Sequence, residues 1–297
     1  MDVIVIMCIG VLAGKFLLPC NLNRWNQILQ VVCTLFLIFS MGVLLGSREN
    51  FLEELSTLGI QSVIFFLLPS VGSVLLVYPL TRRFLENKKD WKGEKIDMVY
   101  LAIIALLGGI ACGMTGLDEN VIVSWITSNK DMILYLLMFL VGISIGFNRG
   151  IVSKIKEYHI KIFVIPLGIV VGSILGGIAG GLLTGMPLGE STAIASGLGW
   201  YSLSGVTIGN LAGAQAGSIA FLSNLLREIF SFFSIPWISK KLNYYTCIAP
   251  AGATSEDTTL PMMIRYTNEE TVVLSVFNGV ICSALVPFLI SFCYNIF

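Results

Sequence analysis

A few charged side chains stand in stretches otherwise too apolar to hold charge without a reason. Asp257 lies in Ser255-Glu-Asp-Thr-Thr-Leu-Pro261, Arg227 and Glu228 lie within the apolar run 214–238, and Glu49 follows a run that ends at Gly46. A carboxylate at bilayer depth costs about 2.5–3.5 kcal/mol on insertion scales, so it is kept where a cation, a proton or water meets it. Asp257 is the sharpest candidate. In a cytoplasmic loop it would simply be solvated, but 245–266 holds few charges and carries Pro250 and Pro261. Glu256, its neighbour, faces elsewhere on most backbones. Arg227 and Glu228 are adjacent on a helix and point about 100° apart, so each is expected to meet groups on other helices. Arg227 suits a substrate carboxylate, Glu228 an ammonium or a proton, and either suits a structural role. Asn224 lies one turn before Glu228 on the same side. Glu49 reads either as an exposed loop acid or as a group for cation binding.

A second stretch carries no charge. Ser196-Gly-Leu-Gly-Trp-Tyr-Ser-Leu-Ser-Gly205 places glycines at 197 and 199, hydroxyls at Ser196, Ser202 and Ser204, and the aromatic pair Trp200 and Tyr201 between them. Glycine is unfavourable inside a helix. Irregular main chain at membrane depth is tolerated only inside protein or beside water. Freed N–H groups favour a carboxylate and freed carbonyls favour cations. This stretch is therefore expected to bind substrate through its backbone and hydroxyls, with Trp200 and Tyr201 walling an aliphatic stem. The 245–266 stretch adds Thr254 and Ser255 beside Asp257.

The elements that must position these residues are membrane helices. The chain has 297 residues, 56% hydrophobic and 12% charged, against roughly 25% charged for soluble domains. The formal net charge is zero, which offers nothing to nucleic acid. Seven scattered cysteines form no CxxC pair or Cys/His cluster and read as small core residues. No cofactor or metal is implied, and His159 lies among lysines in a solvated loop. Apolar runs predict spans at about 3–18, 28–46, 58–80, 98–117, 132–147, 162–183, 214–238 and 271–292. The segments 190–213 and 245–266 are expected to be re-entrant or broken helices. The fold class is thus an all-α polytopic membrane protein with about eight transmembrane helices and two such elements.

The basic loops 82–95 and 149–161, with Arg24, place those loops inside and both termini outside. The organisation reads as 1–186, built of two inverted three-helix repeats (1–80 and 98–186), followed by a substrate-site region, 187–297. The repeat rests on Leu35–Gly46 against Tyr135–Gly146, where Phe39, Gly42 and Gly46 match Phe139, Gly142 and Gly146 at an offset of 100 residues. Inverted repeats with broken elements near the midplane mark secondary transporters.

In order and spacing, Ala195-Ser-Gly-Leu-Gly-Trp-Tyr-Ser-Leu-Ser-Gly205, Asn224-Leu-Leu-Arg-Glu228 and Gly252-Ala-Thr-Ser-Glu-Asp-Thr-Thr-Leu-Pro261 resemble the lysine exporter LysO family. The likeness is strong over 187–297 and looser before. It implies export of L-lysine and of the analogue thialysine across the inner membrane, with both termini outside. It also implies acidic site residues at the positions of Glu49 and Asp257. The first is usually Asp in the family, so Glu49 keeps the charge and adds a methylene.

The expected function is a secondary exporter. Asp257 and Glu228 receive the cationic side chain, the Gly197–Gly205 backbone orients the α-amino and carboxylate groups, and an acid (Asp257, Glu228 or Glu49) alternates between substrate and proton. Partners are L-lysine, protons and the lipid bilayer, with a homo-oligomer compatible. The alternative is a monovalent-cation/proton antiporter. No GxxxxGK[ST], HExxH or GxGD occurs, so the chain is not expected to be an enzyme.

Overall fold

The structure is a computed structural model that describes residues 2–19, 22–47, 51–85, 98–116, 120–147 and 162–297. Every regular element among them is helical: α1 (Asp2–Phe16), α2 (Asn23–Gly46), α3 (Phe51–Phe84), α4 (Met98–Met114), α5 (Val121–Ser128), α6 (Lys130–Phe147), α7 (Val164–Thr184), α8 (Leu188–Ala195), α9 (Tyr201–Ala212), α10 (Ala214–Lys241), the single turn α11 (Ile248–Ala251), α12 (Leu260–Tyr266) and α13 (Glu269–Ile296). Short 3-10 turns at Tyr245–Cys247 and Gly252–Glu256 flank α11.

Among the described residues five helices are long and apolar enough to cross a membrane: Asn23–Leu44, Leu58–Arg83, Val164–Thr184, Ala214–Lys241 and Glu269–Ile296. The pair α5–α6, bent by 59° at Asn129, makes a sixth if it is one span. The remaining two expected spans correspond to α1, of 15 residues, and α4, of 17. The protein is an all-helical polytopic membrane protein.

The chain forms two compact units, Met1–Phe51 with Glu94–Glu157, and Leu52–Gly93 with Tyr158–Phe297. In the smaller unit α1 runs parallel to α6 and α2 parallel to α4, each pair in backbone contact through glycine. A Cβ on Gly10 would stand 2.3 Å from the Phe139 carbonyl, and one on Gly109 would stand 2.2 Å from the Phe39 carbonyl. Gly14 meets Ile143 as Gly113 meets Val43. The sequence match around Phe39 and Phe139 is therefore one helix contact made twice. Without a hydrophobic drive between helices in lipid, close packing of small residues is what holds such pairs. Asn26 and Gln30 of α2 add hydrogen bonds to the Leu140 carbonyl and Ser144 Oγ of α6, at 2.8–3.0 Å.

In the larger unit α3 and α7 cross antiparallel, again at matched positions. A Cβ on Gly72 would stand 2.3 Å from the Gly172 carbonyl, and Ser73 and Ser173 hydroxyls meet at 3.0 Å across a separation of 100 residues.

Between α7 and α10 the chain folds back on itself. Laid end to end, α8 and α9 would span about 30 Å at 1.5 Å per residue. Yet Gly189, at the start of α8, packs on the Tyr294 carbonyl, and Leu211, near the end of α9, accepts a hydrogen bond from Tyr294 Oη at 3.0 Å. Residues 188–212 are thus a hairpin whose base sits at the C-terminal end of α13. Residues 245–268 form a second hairpin: Tyr245 Oη at its start donates to the carboxylate of Glu270, just beyond its end. That base sits at the N-terminal end of α13, so the hairpins approach from opposite ends of one 28-residue helix.

Candidate functional site

The tips of the hairpins meet. Ala253 N–H donates to the Leu198 carbonyl at 2.9 Å, and a Cβ on Gly252 would stand 2.3 Å from that carbonyl oxygen. So close an approach needs unusual backbone. Leu198 has φ 50° and Gly199 φ 99°, and Gly252 has φ 59° with ψ −122°, a region essentially reserved for glycine. For Leu198 the left-handed conformation costs roughly 1–2 kcal/mol. Strain of this sort persists only where the surroundings over-determine it, and it collects at functional sites.

Two asparagines hold the tips. Asn224 of α10 accepts from Gly199 N–H at 2.8 Å and donates to the Ile194 and Ala220 carbonyls at 3.1 and 2.9 Å. Ile194 lies in the last turn of α8, where carbonyls lose their helical partners. Asn278 of α13 does the equivalent for the second tip, donating to the Gly252 carbonyl at 2.9 Å and to Ser255 Oγ at 3.0 Å. Asn224 therefore acts as a pin of the first break, with its side-chain oxygen and nitrogen both engaged by main chain.

The acids gather beside the second tip. Glu228 is 1% exposed. Its Oε1 accepts from Thr258 Oγ1, while its Oε2 is buried with no hydrogen-bond partner among the described residues. Asp257 Oδ1 accepts from Thr258 N–H at 2.6 Å and lies 3.3 Å from the same hydroxyl. One threonine thus bridges Glu228 and Asp257. Glu256 turns to α13, where Ser283 Oγ donates to it at 2.8 Å and the bare Gly279 makes room for its side chain. A buried carboxylate is costly unless a proton or a cation meets it. No group of three or more metal-ligating side chains occurs among the described residues.

Arg227, 2% exposed, turns away from both acids. Its guanidinium donates to the Pro250 and Ala249 carbonyls at 3.1 and 3.2 Å and to Ser173 Oγ and Ser73 Oγ at 2.9 and 3.2 Å.

Most hydroxyls expected at the site serve the backbone. Ser196 donates to the Thr192 carbonyl at 2.7 Å and to Cys293 Sγ, Ser204 to the Trp200 carbonyl at 2.7 Å, and Thr254 to the Ala251 carbonyl at 2.9 Å. Ser255 and Ser275 exchange bonds with each other's carbonyls at 2.8 and 2.7 Å. A broken helix frees carbonyls in an apolar setting, and neighbouring hydroxyls are the donors at hand. Gly197 packs against Ser204 and Asn224. Tyr201 stacks edge-on to Phe221 at 5.3 Å. Trp200 is 36% exposed at the start of α9. Ser202 is exposed, and Glu49 lies outside the described residues.

Residues that sequence reasoning passed over are Thr258, Asn278, Ser73 and Ser173. The serines carried a signal, the same 100-residue offset as the glycine match; Asn278 is a lone amide in an apolar run.

A profile of the family described as lysine exporter LysO matches residues 103–294. A relative from Escherichia coli (strain K12), named Lysine exporter LysO, is 30% identical over 275 residues, covering 90% of this chain and 89% of its own length. The chain belongs to the lysine exporter LysO family. A Haemophilus influenzae protein provisionally named a lysine exporter is 35% identical over 162 residues, covering 54% of this chain and 81% of its own. No solved structure matches the chain. The LysO family is a transporter family and not a family of enzymes, and all three clusters described above — the pinned tips, the Thr258 bridge and the Arg227 network — fall inside its larger unit.

Proposed function

We propose that the chain is a secondary transporter that exports L-lysine, and analogues such as thialysine, across the cytoplasmic membrane in exchange for protons. The carrying observation is the Glu228 carboxylate, buried beside Asp257 with Oε2 unpartnered. Such a pair of acids suits alternate occupation by an ammonium and a proton. The substrate's side-chain ammonium is received between Glu228 Oε2 and Asp257, and its carboxylate by the N-terminal turn of α9, where main-chain N–H groups and the helix dipole favour an anion. Trp200 borders that turn. Glu49 remains a candidate for cation binding on its charge alone.

The hairpins are read as re-entrant elements that enter from opposite faces. Arg82, Arg83, Lys240 and Lys241 lie at the ends of α3 and α10 beside the second hairpin's base, where Asn243 reaches Thr81 at 3.1 Å. By the positive-inside rule that base is cytoplasmic, and the base at Glu190 is outside. Both termini are then outside, and the matched contacts at offsets of 99 and 100 residues relate inverted repeats of α1–α3 and α4–α7.

The experiment is counterflow of labelled lysine in proteoliposomes. An exporter exchanges external label for internal lysine. A monovalent-cation/proton antiporter, the second reading favoured by the same acids, gives no exchange and instead dissipates a pH gradient on addition of an alkali cation.

A further inference from the structure

The exporter reading leaves Arg227 without a task. A buried guanidinium ordinarily meets a carboxylate or phosphate. Here Glu228, its neighbour in sequence, turns instead to Thr258, and each of the four Arg227 hydrogen bonds ends on a neutral oxygen.

The oxygens come from three directions. Ser73 and Ser173 project from α3 and α7 at the point where Gly72 and Gly172 touch. The Ala249 and Pro250 carbonyls belong to the last residues of α11, which stops at Gly252, so their helical partners are missing. Carbonyls at a helix end carry partial negative charge. Hydroxyl and carbonyl oxygens gathered around one buried cationic group, without carboxylate, are the kind of donors that suit a hard cation. A Cβ on Gly252 would stand 3.4 Å from Arg227 Nη2, so this cluster lies directly behind the second tip.

We infer that the Ser73, Ser173, Ala249 and Pro250 oxygens form a monovalent-cation site whose occupant is built into the chain as the Arg227 guanidinium. The arginine takes the part that a bound sodium ion would otherwise play. It ties α3, α7, α10 and the second hairpin together and supplies the positive charge the α11 terminus attracts. A permanent occupant makes the fold and the transport cycle indifferent to external sodium, and leaves the Glu228–Asp257 pair to substrate and protons. That last consequence rests on the exporter reading; the site itself does not.

Purified wild type, Arg227→Ala and Arg227→Lys are compared in NaCl, KCl and choline chloride at matched ionic strength, first by thermal unfolding in detergent, then by lysine counterflow. Wild type should show the same unfolding temperature and flux in all three salts. Arg227→Ala should lose flux at least roughly tenfold in choline, because four acceptors lose their donors together. It should then regain both unfolding temperature and flux, saturably, in NaCl. Arg227→Lys keeps a cation in place and should stay salt-indifferent. A wild type that needs sodium overturns the inference, as does an Arg227→Ala protein that ignores sodium or fails to fold in its presence. The unfolding readout needs no lysine. If wild type carries no lysine while Arg227→Ala is still stabilised by sodium, the exporter reading falls and the built-in cation stands.

Discussion

The hairpin at 188–212 and the hairpin at 245–268 share a plan and differ in charge. Each has its two ends drawn together at one end of α13, a tip with positive φ, and an asparagine on a long helix binding the tip's backbone. At the first tip the Asn224 amide is matched on both sides by main chain, and its neighbours Ser196 and Ser204 serve carbonyls. At the second tip the same scaffold is flanked by a buried carboxylate oxygen with no partner among the described residues and by a buried guanidinium on neutral oxygens. The shape of the meeting point is thus a joint product, whereas the charge chemistry belongs to the second hairpin and to α10. Two hairpins of one plan need not carry the same groups.

Removing charge at the second tip should have the largest effect. Glu228→Gln keeps the shape and the Thr258 contact but cannot bind an ammonium as an anion. Loss of one partner from a buried charged contact costs about 2–5 kcal/mol, so lysine counterflow should fall by roughly two orders of magnitude or more, with the unfolding temperature kept. Asp257→Asn should behave alike. Undiminished flux in either variant removes that acid from the site and dissolves the contrast between the hairpins.

Next in size are the tip glycines, which separate clash from strain. In Gly252→Ala the new methyl would stand 2.3 Å from the Leu198 carbonyl and the residue would keep a φ of 59°. In Gly199→Ala the φ of 99° is also adverse, but the nearest atom would be 3.3 Å away. Gly199→Ala should cost roughly 1–3 kcal/mol for strain alone; Gly252→Ala should cost more, and should also loosen the tips and lower flux. Unfolding in detergent, scored beside counterflow, reads both. Equal losses at the two sites would mean that the tips do not meet as described.

The glycine match, both irregular stretches and the charges at 228 and 257 stand out in the sequence, because each is a local exception to an apolar pattern. The glycine match at Phe39–Gly46 and Phe139–Gly146 pointed to a real recurrence, and the structure gives it a cause in backbone contact. The use of the hydroxyls was not legible. Whether Ser204 or Thr254 faces a substrate or a carbonyl depends on where the helix breaks to the residue, and both carbonyls lie within four positions in sequence. Arg227 was equally opaque. Its acceptors at 73, 173, 249 and 250 are distant in the chain, and a hydropathy pattern records that a charge is buried, not what surrounds it. The bend at Asn129 and the extension of α3 back to Phe51 were likewise decided by packing rather than composition.

Thr258 tests whether the two acids act through one hydroxyl. Thr258→Ser retains the donor and should transport nearly as wild type. Thr258→Val leaves Glu228 Oε1 without its partner, a loss of about 1–3 kcal/mol for a hydrogen bond to a charged group. Lysine KM should rise roughly tenfold or more while the protein still unfolds cooperatively. If both variants match wild type, the bridge is incidental and the acids are independent.

The smallest expected effects lie on α9, and they probe the first hairpin's half of the contrast. Ser204 donates to the Trp200 carbonyl and packs on Gly197, so Ser204→Ala should cost about 1 kcal/mol of stability. Ser202 is exposed on the same helix, and Ser202→Ala should lie within about 0.5 kcal/mol of wild type with unchanged flux. The substrate carboxylate is assigned to main-chain N–H groups of this turn, which neither substitution removes, so KM should hold in both. A Ser202→Ala protein that folds normally but loses affinity for lysine would place a side-chain hydroxyl in contact with substrate. The first hairpin would then contribute chemistry as well as shape, and the division of labour between the two would have to be redrawn around Ser202.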